Sequence, residues 1–100
     1  MEELILPKLK LMVEGAIHRY LTDQATDREF KESIRSILNE FEGKNLLHQN
    51  IGQLTWECEK RNTLRKSKFE KIWILLEQIS PQIIDDFNRR MKKCRSGKHT

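Results

Sequence analysis

The chain has 100 residues, of which 34% are charged and 37% hydrophobic, and carries a net charge of +4. That is the size of one domain able to bury its own core without disulfides or a metal, and no apolar run approaches the roughly 20 residues of a membrane helix. The opening MEELILPKLK is acidic before it is apolar, unlike a secretory signal peptide. The expectation is therefore a cytoplasmic or host-cell interior protein, not attached to a membrane, whose two cysteines, Cys58 and Cys94, are reduced thiols.

Apolar residues recur at helical spacing along nearly the whole chain. In the first segment Ile5, Leu9, Met12, Val13, Ala16 and Tyr20 share one face. Proline is tolerated only near a helix start, so the spacing predicts a helix from about Pro7 to Leu21. Thr26-Asp27-Arg28-Glu29 reads as a capping box opening a second helix. Its stripe is Phe30, Ile34, Ile37, Leu38 and Phe41, and Gly43 follows as a C′ residue.

A third helix is predicted after Asn45, with Leu47, Ile51, Leu54 and Cys58 on one face. Gly52 lies inside it and should weaken it by up to about 1 kcal/mol relative to Ala. Arg65 would fall on the apolar face of an unbroken continuation, which argues for a break between Arg61 and Ser67. Ser67-Lys68-Phe69-Glu70 offers a second capping box. The fourth stripe is Phe69, Ile72, Trp73, Leu76 and Ile79, and the run IWILL makes this helix apolar on most sides, hence the expected centre of the core.

Ser80-Pro81 reads as the N-cap and first residue of a fifth helix. Ile83, Ile84, Phe87, Met91 and Cys94 share its inner face, and Gly97 is its expected end. No segment alternates with period two. The fold class predicted is all-α, a single compact bundle of four or five short helices over residues 1–96, with a short flexible basic tail at 97–100. Phe30, Ile34, Phe41, Phe69, Ile72, Trp73, Leu76 and Phe87 are the expected core.

The charge is unevenly placed. Residues 1–58 hold seven Lys/Arg against ten Asp/Glu, a net −3, whereas residues 59–100 hold twelve against five, a net +7. Such asymmetry points to an anionic partner, a nucleic acid or an acidic protein surface. Two clusters carry it. The first is KRNTLRKSKFEK, with Lys60, Arg61, Arg65, Lys66, Lys68 and Lys71. The second is RRMKKCRSGKHT, with Arg89, Arg90, Lys92, Lys93, Arg95 and Lys98. Asp85 and Asp86 each precede an arginine by four residues, the favourable order on a helix, so intrahelical pairing alone accounts for Arg89 and Arg90.

Trp56 points almost opposite the apolar face of its helix, among polar residues. A large aromatic so placed is a typical anchor for a partner; its plainer reading is a sandwiched helix, with Trp56 packed against Leu4 and Leu11 of the N-terminal segment. No metal is expected. His18, His48 and His99 are scattered, and Cys94 with His99 makes half a site where structural zinc needs four ligands. No cofactor or catalytic motif is present: there is no phosphate-cradling glycine loop and no nucleophile elbow. A helix-turn-helix would need KFEKIWILLEQI as its recognition helix, which is too apolar for a groove.

These readings converge on a non-enzymatic regulatory or adaptor protein that binds another macromolecule, in the first place a protein. Its expected surface is Trp56 with Lys60, Arg61, Arg65, Lys66 and Lys68. The runner-up is a nucleic-acid-binding protein contacting phosphates through Lys71, Arg89, Lys92, Lys93, Arg95 and Lys98. A third reading is a homo-oligomer that buries Leu4, Leu11, Trp56, Ile74 and Leu75 between subunits.

Overall fold

The computed structural model describes the backbone of residues 7–99 and the side chains of residues 7–91. It holds five α-helices: α1 Pro7–Leu21, α2 Asp27–Glu40, α3 Leu47–Arg61, α4 Lys66–Ile79 and α5 Pro81–His99, with a 3-10 turn at Thr63–Arg65. No strand occurs among the described residues. The helices close a ring in which α1 packs on α2 and α3, α2 on α4, α4 on α5, and α5 back on α3. The all-α bundle expected from the periodicity is the fold observed.

Local chemistry sets most of the boundaries. Thr26 caps α2 in a reciprocal box: its hydroxyl accepts from the Glu29 amide at 3.1 Å, and the Glu29 carboxylate accepts from the Thr26 amide at 2.9 Å. Gly43 turns the chain after α2 with φ +87°, the left-handed region where glycine costs least. The second expected box does not form. The 3-10 turn already carries the chain into helical geometry, α4 begins at Lys66, and no side chain caps it. Ser67 therefore lies inside the helix and not at its edge. At the other end α5 runs past Gly97, its expected terminus, to His99.

The core draws on every helix. Phe30, Ile34, Phe41, Phe69, Ile72, Leu76 and Phe87 are buried as expected, joined by Ile17, Ile51, Leu54, Leu75 and Ile83. Two corrections matter for function. Trp73 is only half-buried, and Ile74 beside it is 51% exposed. The IWILL run is thus not swallowed by the core, because α4 packs mainly on α2 and α5 and leaves its circumference exposed at Ile74.

The α1–α2–α4 corner is tied by polar contacts. The buried Tyr20 hydroxyl donates to Asp27 at 2.6 Å, and Lys71 approaches the other Asp27 oxygen at 3.2 Å. Burial, reinforced by the Asp27 carboxylate, holds the Tyr20 hydroxyl far above the ordinary tyrosine range. The Tyr20 hydrogen bond, then Lys71, hold Asp27 below the usual carboxylate range. A raised tyrosine contributes stability below its unfolded value near pH 10 and loses it as pH climbs through the folded value. A depressed aspartate contributes above its unfolded value near pH 4 and loses it as pH falls. Tyr20→Phe should therefore cost about 1 kcal/mol at neutral pH, with the difference from wild type shrinking at both extremes. Urea midpoints measured across pH check this; a constant difference would show that the pair is not the cause.

Candidate functional site

The internal basic cluster is largely engaged with the protein itself. Arg61 reaches Glu14 on α1 at 3.4 Å. Arg65 donates to the Leu21 carbonyl at 2.7 Å, satisfying one of the open acceptors at the end of α1. Lys68 binds Asp23, and this contact holds the Asp23 carboxyl below the usual range. Lys71 binds Asp27, and the Lys60 ammonium sits 4.0 Å above the Trp56 ring. Lys66 is exposed and forms no ion pair among the described residues. A cluster that read as a surface for anions is, residue by residue, mainly a set of ties between α1, the α1–α2 turn and α4.

The second basic cluster is only partly described. Arg89 pairs with Asp86, three residues back at 3.2 Å, and not with Asp85 four back. Arg90 is exposed and forms no ion pair among the described residues. The side chains of Lys92, Lys93, Cys94, Arg95, Lys98 and His99 lie outside the described residues, so the phosphate-contact and metal expectations that rest on them fall there too; of the tail expected at 97–100 only the backbone of 97–99 is described, and it is helical. Leu4 lies outside as well.

Trp56 is half-buried, and what it meets is α5. Its ring lies 6.3 Å from that of Phe87, tilted by 46°. The partner of Trp56 is thus α5; of the two leucines expected to receive it, Leu11 is 71% exposed and Leu4 lies outside the described residues. Gly52, one turn before Trp56, explains the geometry. It is buried against Phe87 and Ile83, and a Cβ built on it would lie 2.7 Å from the Phe87 Cβ. The missing side chain lets α5 lie close enough for Trp56 to reach Phe87. A glycine one turn from a tryptophan was the available signal, and read alone it looked merely like a weak point in the helix.

Phe87 also stacks on Trp73, with centroids 5.4 Å apart and planes 25° from parallel. Trp56, Phe87 and Trp73 therefore form one aromatic row linking α3, α5 and α4. Trp73 is held at its polar end, where the indole N–H donates to Glu59 at 2.9 Å. Beside the row a cleft of about 280 Å³ opens between α4 and α5, lined by Trp73, Ile74, Glu77, Ile84, Phe87 and Asn88. Its floor is a stacked pair anchored by a hydrogen bond. Its mouth is apolar and open. Two other clefts among the described residues are more polar; one is built around Tyr20, Asp23, Asp27 and Lys68, which already satisfy one another.

Chemistry-bearing groups are sparse. Cys58 is a buried free thiol, and burial raises its pKa, which disfavours the nucleophilic thiolate. No group of three or more His, Cys, Asp or Glu that could hold a metal occurs among the described residues, and no helix among them is long and apolar enough to cross a membrane. Comparison with protein-family models, with curated proteins and with solved structures finds no match to this chain.

Proposed function

We propose that this chain is a small non-enzymatic binding protein whose partner is another protein, and that the α4–α5 cleft is where the partner docks. The observation that carries this reading is Ile74, half-exposed beside a half-buried, stacked tryptophan at the mouth of a preformed apolar cleft. Rigid aromatics with an open apolar neighbour are the usual anchors of an interface, and pre-ordering them lowers the entropy lost on binding. Trp56 and Lys60 then belong to the edge of this surface, and the residues from Arg61 to Lys71 mainly support the frame. Relative to the sequence reading, the proposed surface moves by one helix face, from α3 to α4 and α5.

The test uses Ile74→Asp. Ile74 lies outside the core, so the substitution should cost little stability, within about 0.5 kcal/mol. Proteins captured from cell extract by wild type, absent with Ile74→Asp and retained after nuclease treatment are the expected result. Capture that Ile74→Asp leaves intact would remove the cleft from the function. Capture lost to nuclease in both proteins would favour a nucleic-acid partner bound through the basic half.

A further inference from the structure

The half of the chain that contains the cleft carries a net +7, yet the one charged residue that lines the cleft is an acid, Glu77. Glu59 on α3 does not line the cleft but accepts from the indole of Trp73, which does. Glu70 lies on α4 one turn before Trp73 and Ile74 and is exposed. These are three of only five acidic residues between positions 59 and 100. None of them forms an ion pair with a described residue, whereas Glu14, Asp23, Asp27, Glu32, Glu40 and Asp86 all do. Glu29, Glu42, Glu57 and Asp85 form no such pair either, so what sets Glu77 and Glu70 apart is their place on α4 at and beside the cleft.

We propose that the cleft takes a basic amphipathic helix of another protein. This rests on the reading of the cleft as a docking site and adds the chemistry of its occupant. A groove between two helices, floored by aromatics, suits the apolar face of a third helix. Carboxylates at its edges suit Lys or Arg on the flanks of that helix, and they repel acidic helices and nucleic acid phosphates alike. The positive charge of the rest of the half does not contradict this. Lys68 and Lys71 are bound to Asp23 and Asp27, Lys60 lies on the Trp56 ring, and Lys66 and Arg90, though exposed, do not line the cleft.

Two synthetic amphipathic helices make the test. Both carry Leu along one face; one has Lys and the other Glu at the flanking positions. Each is titrated into the intact wild-type chain and followed by NMR. The Lys peptide should shift the Trp73 indole N–H and the Ile74 methyls and bind about tenfold tighter than the Glu peptide at low salt, an advantage that high salt removes. The double variant Glu70→Lys, Glu77→Lys should reverse the preference, while Glu42→Lys at the α2–α3 turn should leave it unchanged. Equal binding of both peptides at the cleft would overturn the charge selection and leave the docking site standing. No shift of cleft resonances by either peptide would overturn both. Concentration-dependent shifts of the same resonances without peptide, abolished by Ile74→Asp, would make a second copy of this chain the occupant and overturn the proposal.

Discussion

Phe69→Ala is expected to lower the stability of the fold by about 3–5 kcal/mol, the range for deleting a fully buried aromatic ring. Phe69 has no exposed surface and sits in the first turns of α4, a helix packed on both α2 and α5. Its loss leaves a cavity that two helices would have to collapse into, and neither can move without losing its own contacts. Against a total of about 5–15 kcal/mol for a small domain, that is roughly a fifth of the stability at the least. Trp73, four residues further along the same stripe, should behave differently. It is half-exposed and its polar end is hydrogen-bonded to Glu59, so Trp73→Ala should cost about 2 kcal/mol. Urea unfolding at unchanged slope separates the two. Equal losses would mean that Trp73 is core and that the cleft is not open at its floor.

The contrast between these two residues shows what a sequence can carry. Periodicity and caps are local, and they placed α1 within a residue, the Thr26 box, the turn at Gly43 and the break before α4 correctly. The break was argued from Arg65, and the structure supplies its physical counterpart: Arg65 is outside the stripe because it serves the end of α1. The second capping box failed for a local reason too, since a 3-10 turn upstream took over the start of the helix.

The site was less legible, because each part of it depends on which helices are neighbours. A helical wheel says that Trp56 points away from Leu54 and Cys58. It does not say that α5 waits on that side. Lys68 and Asp23 are 45 residues apart, so nothing in either segment marks their charges as spoken for, and the basic cluster read as available. IWILL signals burial all round, yet α4 packs mainly on α2 and α5, and the part left exposed at Ile74 belongs to the candidate site. The acids around it were invisible for the same reason: Glu59, Glu70 and Glu77 are spread over two helices and were counted only as a deficit within a basic half.

Gly52→Ala should destabilise the protein by about 1–3 kcal/mol, opposite in sign to what helix propensity predicts. In an unobstructed helix interior, Gly→Ala gains up to about 1 kcal/mol. Gly15 in α1 meets that condition, with nothing within 4 Å of its missing Cβ, and Gly15→Ala should be stabilising. At Gly52 the new methyl would lie 2.7 Å from the Phe87 Cβ, 3.1 Å from its Cγ and 3.4 Å from the Ile83 carbonyl oxygen. Carbon atoms prefer separations of about 3.5–4.0 Å. The obstructing atom is a Cβ fixed to the α5 backbone, so no rotation of the Phe87 ring relieves it. α3 and α5 must part by on the order of 1 Å, and overpacking of this kind costs about 1–3 kcal/mol. The separation also acts on the aromatic row, because Trp56 and Trp73 both rest on Phe87. Denaturation midpoints of the two alanine variants should move in opposite directions, and only Gly52→Ala should change the tryptophan fluorescence of the folded state. If both variants are stabilised and both spectra match wild type, α3 and α5 do not cross this closely, and the aromatic row that floors the cleft is not held as described.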